Sequence, residues 1–348
     1  MIDFSESILS KLAVHKVGNK NNNEALSLSE ELVPLSNPGL SQALLTYFLS
    51  PFGEVEYHRF DFSNGDVHLN PVYTFVNQMF EQPESFLNKS VDAAKHLYAI
   101  SEHPQIKTGD LFVAHIKNIA VDGVRTDAIG IFKSESKQPF IKVHSAQKNF
   151  ILECEDGINI NKMDKGCIIL NTDVETGFKL GIIDKSNKAG EALFWKEKFL
   201  NVRPCSDDYH HTKDFLSITK NFVTKQLTEE FEVSKADQID LLNRSVDYFK
   251  SNETFNKNDF EEQVFKDENV ISSFRTFDQA YRSENEVPNF DDFEISAQAV
   301  KKQARVFKSV LKLDKNFHIY IHGNRNLIEK GKEADGRKYY KIYYEDEQ

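Results

Sequence analysis

The sequence has little of what marks secreted, disulfide-linked or membrane-spanning proteins. Its 348 residues include three cysteines without CxxC spacing, too few and too scattered for a disulfide framework or a zinc ribbon. We expect Cys154, Cys167 and Cys205 to be reduced and buried. No apolar run approaches the roughly 20 residues of a membrane span, and the acidic N-terminus lacks the basic residues of a signal peptide. These absences predict a cytoplasmic protein with no membrane partner.

Enzyme signatures are missing as well. The chain contains no glycine-rich phosphate loop ending in Gly-Lys, no GxSxG elbow and no HExxH pair. Asp127, Glu135 and Lys137 could supply the carboxylates and the lysine of a metal-dependent nuclease. However, Glu-x-Lys is common by chance, and a solvated turn is the simpler interpretation. We therefore expect a non-enzymatic protein without a cofactor.

The run Cys205–His211 gathers several potential metal ligands. His210 and His211 are adjacent, and on a helix they would point about 100° apart, which makes sharing one ion difficult. Asp207 and Asp208 suit the start of the following helix, where their carboxylates accept backbone hydrogen bonds and favour the helix dipole. The sequence therefore predicts a helix start here rather than a metal site.

The chain contains fewer basic than acidic residues. The chain has 43 Lys and Arg against 54 Asp and Glu, a formal net charge of −11, which argues at first against a partner as negative as DNA. The charge is unevenly distributed, however. Residues 226–298 contain 18 acidic and 7 basic residues, whereas residues 299–341 contain 12 basic and 4 acidic residues. The C-terminal segment thus carries +8 and the rest −19, so only a local cationic surface can engage phosphates.

Hydrophobic periodicity predicts an α+β fold in three parts. Helical spacing after Pro38 and Pro71, followed by short strand-like runs, predicts an α/β domain over residues 1–204 with an antiparallel meander. Residues 205–298 are expected to form an acidic helical unit. Residues 299–348 are expected to form a basic helix and a terminal β-hairpin, packed on that unit. The predicted strands of the first domain are Asp110–Val121, Thr126–Lys133, Phe140–Val143, Phe150–Cys154, Cys167–Asn171 and Phe178–Asp184.

The middle part contains specific helix signals. Phe215, Ile218 and Phe222 recur at helical spacing. Ser234 is a suitable N-cap with Asp237 three residues later. An apolar stripe at spacings of three and four then follows, formed by Ile239, Leu242, Val246 and Phe249. We expect these stripes to face the core of the helical unit.

The basic module, residues 299–341, opens with five cations separated by four and three residues. On a helix they would form one continuous stripe beside an apolar face, and their mutual repulsion is unfavourable unless an anion lies opposite. The five are Lys301, Arg305, Lys308, Lys312 and Lys315. Further basic residues extend the patch. The candidate nucleic-acid-binding residues are therefore Lys301, Lys302, Arg305, Lys308, Lys312, Lys315, Arg325, Lys330, Lys332, Arg337, Lys338 and Lys341.

Two strand-like runs, Phe317–His322 and Lys338–Tyr344, are expected to form the terminal hairpin. Alternation in the first run turns Phe317 toward a core and turns His318 and Tyr320 the other way. The second run interleaves tyrosines with lysines. Aromatic and basic side chains on an exposed sheet face suit base stacking and phosphate contact. The alternative is a surface hairpin whose lysines protect an edge from aggregation.

Eight stretches in a fixed order carry a resemblance that extends along most of the chain. They are Leu9–Lys20, Leu44–Phe52, Ala94–Phe112, Asp127–Val143, Asp164–Asn171, Phe231–Phe249, Val300–Arg325 and Lys338–Glu345. Together they resemble the 37-kilodalton bacterial nucleoid-associated protein family of the NdpA type, and in particular its Bacteroidota-like branch. The resemblance implies a non-enzymatic, DNA-associated protein of the bacterial nucleoid, with contacts to type II topoisomerases. It supplies no catalytic residues and no defined DNA-contacting residues.

Three hypotheses follow. The first is a nucleoid-associated protein that binds DNA non-specifically through the basic module. The second is an acidic interaction factor whose residues 226–298 recruit DNA-processing enzymes such as topoisomerases. The remote third is the metal-dependent nuclease on Asp127, Glu135 and Lys137. The oligomeric state is open, and a homodimer would give an architectural binder two sites.

Overall fold

The computed structural model describes residues 2–53, 55–62, 65–121, 124–146, 149–185, 194–285, 287–305, 307, 310–321 and 327–346. The chain divides into two compact units, Met1–Cys205 and Ser206–Gln348. The first contains a large antiparallel sheet and the second contains helices followed by hairpins, which confirms the α+β class. The further division at residue 298 stays a prediction.

The first unit is built on its sheet. Within the described residues its strands are β1 Ile2–Asp3, β2 Ile8–Val17, β3 Leu26–Ser27, β4 Tyr57–Phe60, β5 Gly109–Val121, β6 Val124–Ser134, β7 Gln138–Ala146, β8 Asn149–Gly157, β9 Lys165–Leu170, β10 Lys179–Asp184 and β11 Val202–Pro204. The main sheet has the order β11-β4-β10-β9-β6-β5-β2-β3, with β1 also on β5, and every pair is antiparallel.

Helices cover both faces of this sheet. They are α1 Pro38–Leu49, α2 Pro71–Glu81 and α3 Phe86–Ile100, with a π-helical segment at Phe194–Leu200. Ile129 and Ile131 of β6 share a buried cluster with α2 and α3. Phe132 faces the other way, and its ring stacks on Phe48 of α1 with 4.3 Å between centroids. Because both faces are covered, all of β9 is buried rather than every second residue.

The predicted strands are present, but two of them leave the sheet. Phe140–Val143 and Phe150–Cys154 lie in β7 and β8, which pair with each other, while β9 takes the place beside β6. The predicted meander is therefore not continuous, because the β7–β8 hairpin lies between β6 and β9 in the sequence but outside the main sheet. Cys154 is exposed on β8, so its predicted burial was wrong, whereas Cys167 and Cys205 are buried as expected. An extra hairpin between β6 and β9 is compatible with an antiparallel order and gives no distinct sequence signal.

The second unit has a helical core. Its described helices are α4 Asp208–Asn221, α5 Leu227–Glu230, α6 Lys235–Ser251, α7 Lys257–Val264, α8 Glu268–Asn285 and α9 Ala297–Ala304, with a π-helical turn at Phe222–Gln226 between α4 and α5. Ser234 caps α6 in a reciprocal capping box with Asp237, as predicted. Phe215 packs against Phe255 and Phe260, with ring centroids 4.3 and 5.0 Å away. Among the described residues, no helix combines the length and apolar character of a bilayer crossing.

Short strands complete this unit. β12 Thr254–Asn256 pairs with β13 Asp292–Glu294. The basic module then supplies β14 Val310–Leu313, β15 Phe317–Tyr320, β16 Ile328–Lys332 and β17 Lys338–Ile342. Those of the predicted binding residues that the structure describes thus lie on or beside one helix and two hairpins.

Candidate nucleic-acid interface

The basic module begins on α9, which is firmly attached. Its N-cap Ser296 accepts a hydrogen bond from the Ala299 N–H through its side chain. The Ser296 N–H in turn donates to the Thr212 hydroxyl at 3.0 Å. Val300 is buried in the aromatic core of the second unit. With this face fixed, α9 presents Lys301 to solvent.

The continuous helical stripe of five cations is not formed. α9 ends at Ala304, Lys312 lies in β14, and Lys315 lies in the turn that follows. The helical prediction was wrong beyond Ala304 because Val310–Leu313 pairs as a strand instead. Asp314 adopts a left-handed conformation at the turn, with φ of 51°, which aspartate tolerates better than most residues.

The terminal strands form two hairpins rather than one. β14 pairs with β15 across residues 314–316, and β16 pairs with β17 across a turn in which Gly336 has φ of 92°. The predicted pairing of Phe317–His322 with Lys338–Tyr344 was therefore wrong. Each strand instead pairs with its near neighbour, since closing a short loop costs less entropy than closing a long one.

A small apolar cluster anchors both hairpins to α6. Leu311 of β14, Ile321 after β15 and Ile328 of β16 pack together with Ile239. The Asn243 side chain adds a hydrogen bond to the Ile321 carbonyl at 3.3 Å. The two hairpins consequently share one attachment point on the helical core.

The outward face of β14–β15 combines a cation with aromatic rings. Lys312 lies directly opposite His318, and Tyr320 shares their face with 66% of its surface exposed. His318 and Tyr320 therefore point away from the core, as predicted. Phe317 shares the inward face with Ile319 and Leu313, as predicted, but it lies at the turn end of the hairpin and remains 62% exposed.

Three lysines share one face of β16–β17. The register places Lys332 directly opposite Lys338, and Lys330 lies two residues along β16 on the same face. All three are exposed, and none has a carboxylate within 4.0 Å among the described residues. Like charges directly opposite each other destabilise a strand pair. This cluster, which we call the lysine face, therefore favours a bound anion.

The sequence interpretation included these three lysines but missed their opposition. Asp335-Gly336 is a typical short-range hairpin signal, but a two-residue turn at these positions would pair Lys332 with Tyr339. The structure has a longer turn, in which the Glu333 N–H donates to the Arg337 carbonyl, and this turn places Lys332 opposite Lys338.

On the opposite face of β16–β17 the one lysine lies near a carboxylate and an aromatic ring. Lys341 Nζ lies 3.9 Å from Glu329 Oε2 and 4.6 Å from the centroid of the Tyr343 ring. The Tyr339 ring lies so close over Gly331 that a Cβ there would be 2.2 Å from Tyr339 Cζ. Lys341 is therefore less available to an added phosphate than the lysine face.

The other candidate cations differ in their surroundings. Lys302 Nζ lies 5.4 Å from the centroid of the Tyr209 ring, and Arg337 Nε lies 2.6 Å from Asp335 Oδ2. Arg305 is exposed just after α9. Two candidates, Lys308 and Arg325, lie outside the described residues. The structure thus brings Lys330, Lys332 and Lys338 together more closely than the sequence could show.

The basic module lies within a recognisable family domain. A sequence profile described as "Nucleoid-associated protein YejK" matches residues 13–337, nearly the whole chain. The chain belongs to this family. A comparison with curated proteins finds no match. The family match confirms the resemblance to this family, though not to its Bacteroidota-like branch, and it covers most of the first unit, the acidic helices and most of the basic module.

In this YejK-family chain the proposed nuclease residues do not meet. Asp127 lies within β6 and Glu135 follows its last residue, so the two are eight residues apart, roughly 26 Å in an extended strand. Asp127 Oδ2 lies 3.3 Å from His115 Nε2, whereas Glu135 Oε1 lies 2.9 Å from Lys133 Nζ. Lys137 pairs with a different carboxylate. Each of the three residues therefore has its own ionic partner, and together they do not form a nuclease site.

The histidine run of this family member forms a helix start, as predicted. Asp207 caps α4 by accepting from the His210 N–H, and its carboxylate also lies 2.8 Å from His210 Nδ1. His211 points elsewhere, with its ring centroid 3.5 Å from that of Phe290 and its Nε2 3.0 Å from Ser206 Oγ. Across the described part of the chain, no three His, Cys, Asp or Glu side chains are grouped to hold a metal ion.

Proposed function

We propose that this chain is a non-enzymatic nucleoid-associated protein of the bacterial cytoplasm that binds DNA phosphates without sequence preference. The family match supports the nucleoid-associated role. The direct opposition of Lys332 and Lys338, with Lys330 beside them, is the observation that carries the binding mode. A phosphate on this face would replace repulsion between the lysines with attraction.

Lysine side chains suit a non-specific mode. Each acts as a flexible point charge, and contacts to phosphates fix position on the duplex without reading base identity. The exposed rings beside the cations, such as Tyr320, offer additional stacking surface. The strongly acidic remainder of the chain repels DNA, which confines binding to the basic module.

Salt dependence tests this proposal directly. Engaging roughly six phosphates would lower the affinity by on the order of 10³ between 50 and 200 mM salt. Fluorescence anisotropy with a labelled duplex would measure this dependence for the full chain. A salt-independent affinity, or no binding at low salt, contradicts the proposal.

Matched variants locate the contact. The triple change Lys330→Gln, Lys332→Gln and Lys338→Gln should reduce the slope of log affinity against log salt by about 2.7, since each phosphate contributes about 0.9. The control replaces three exposed lysines elsewhere, Lys162, Lys198 and Lys225, by Gln, with the same loss of charge. Equal losses in the two triple variants would indicate a general charge effect rather than a contact on the lysine face.

The second candidate function is recruitment of basic regions of DNA-processing enzymes, such as type II topoisomerases, by residues 226–298. Its support is an excess of acid that the segment cannot neutralise internally, because five of its seven cations already pair with carboxylates. These pairs are Arg244–Asp240, Lys250–Asp247, Lys257–Asp278, Arg275–Glu261 and Arg282–Asp278. Co-purification with a topoisomerase after nuclease treatment supports recruitment, and loss of the partner with the DNA contradicts it.

A further inference from the structure

The β7–β8 hairpin is a defined element outside the main sheet. Its strands pair with no other strand among the described residues. Its base is held by Asp164, whose carboxylate accepts hydrogen bonds from the Glu135 and Ser136 N–H groups at 2.8 and 2.9 Å. The Asn159 side chain donates to Gln138 at 2.9 Å. The hairpin is therefore anchored at one end, while its strands remain accessible.

One face of this hairpin is apolar and uncovered. The register places Val143 opposite Leu152 and Ile141 opposite Cys154, with Phe150 on the same face. The exposed fractions are 62% for Val143, 68% for Leu152, 69% for Ile141 and 74% for Phe150. Single exposed apolar residues are ordinary, but a contiguous group of this size marks an interaction surface.

The opposite face has its charges already paired. Lys142 Nζ lies 2.7 Å from Glu155 Oε1, and His144 Nε2 lies 3.1 Å from Glu153 Oε2. These cross-strand pairs suit contact with solvent. That face also carries Phe140 and Ile151, but its charged side chains favour solvent, so burial is more favourable for the face with Ile141, Val143, Phe150 and Leu152.

We propose that this apolar face packs against the same face of a second copy of the chain. Asp156, opposite Pro139, lies at the base end of this face, whereas the part formed by Ile141, Val143, Phe150 and Leu152 carries no charged side chain and offers nothing to a polyanion or to a charged peptide. An uncharged apolar face is compatible with its own copy in a two-fold, isologous contact. Two such hairpins would stack as a small sandwich with the sheets about 10 Å apart.

The area is sufficient for such a pair. From the exposed fractions, the four large apolar side chains present on the order of 500 Å² per copy, so that a symmetric contact buries about 1,000 Å² in total. This is the lower limit of a specific interface. The contact is independent of the proposed DNA binding, although two joined copies would bring two basic modules to one duplex.

Sedimentation velocity of the full chain without DNA tests the pairing. We expect a concentration-dependent species of twice the 40.1 kDa chain mass. Phe150→Thr with Leu152→Thr should raise the dissociation constant at least tenfold. The matched control, Phe140→Thr with Ile151→Thr, replaces a phenylalanine and an aliphatic residue on the opposite face and should still dimerise. A monomeric parent chain, or equal dissociation of both variants, overturns the proposal.

Alkylation of Cys154 provides a second measurement that does not depend on those variants. Cys154 is exposed on the proposed contact face, while Cys167 and Cys205 are buried and serve as internal references. Maleimide labelling of Cys154 should slow as the protein concentration rises through the dimerisation range. A rate that stays constant while the mass doubles would place the dimer contact elsewhere and overturn the proposal.

Discussion

Lys332 and Lys338 lie directly opposite each other across β16 and β17. The two positive charges that would bind phosphate therefore repel each other and destabilise the pairing of these strands. Replacing Lys332 by Glu would turn a repulsive pair into an attractive one. We expect the hairpin to gain about 0.2–1 kcal/mol in local stability and DNA affinity to fall. Amide hydrogen exchange and anisotropy measure the two effects, and a change of both in the same direction would contradict this account.

The buried pair of Lys133 and Glu135 leads to a stability prediction. The Lys133 side chain is fully buried, and burial lowers its pKa although Glu135 opposes that change. Glu135→Ala removes the neighbouring carboxylate and should cost about 3–5 kcal/mol in the free energy of unfolding. Urea denaturation measures this loss. Adding Lys133→Met should recover much of it, and a variant as stable as the parent would show that the pair is not structurally important.

His15 should make stability depend on pH. Its ring is buried, accepts from the Ser29 N–H at 3.1 Å and lies 3.0 Å from the Ser90 hydroxyl. Burial lowers the pKa of His15 to about 4, below the value near 6.5 of an exposed histidine. As the pH falls, His15 therefore binds a proton in the unfolded chain before it does so in the folded chain. The contribution of neutral His15 to the free energy of unfolding is complete above about pH 6.5 and is lost as the pH falls through 4.

The test for His15 compares two denaturation series between pH 4 and pH 7. His15→Gln keeps a polar side chain that does not titrate, so the variant should lose less stability on acidification than the parent. Parallel curves for the two proteins would show that His15 is not responsible.

Gly331 leaves room for the Tyr339 ring to lie over the backbone. A Cβ at this position would meet the far end of this exposed ring at 2.2 Å, so Gly331→Ala should swing the ring away and destabilise the hairpin by about 0.2–1 kcal/mol. Hydrogen exchange of the β17 amides would show the loss. Tyr339→Ala in the same background removes the clash and should slow exchange again, and unchanged exchange in Gly331→Ala would contradict the close packing.

Local signals in the sequence were reliable where the structure depends on neighbouring residues. The capping box of Ser234 and Asp237 and the N-cap at Asp207 are formed within a single helical turn, and both were predicted. The strand at Asp110–Val121 was predicted for a similar reason, because its β-forming residues are continuous. Such features need no knowledge of distant contacts.

Features that depend on distant partners were not predictable. The cations after Ala304 have helical spacing, but Leu311 gains burial against Ile239 on another helix when its segment is a strand. Tertiary burial overrides the local pattern there. The departure of β7 and β8 from the main sheet similarly reflects the preference of β9 for the place beside β6, which alternation along one strand cannot reveal.

The attachment of the two basic hairpins has a consequence for how binding would be observed. Among the described residues, the cluster around Ile239 and Leu311 is the smallest of the four buried clusters and contains four buried residues. Regions with so few apolar contacts open locally before the whole protein unfolds. The lysines that would bind phosphate therefore lie in a part of the chain that can open by itself. Binding of phosphate to the lysine face should slow amide hydrogen exchange in both hairpins, while exchange in β9 stays unchanged.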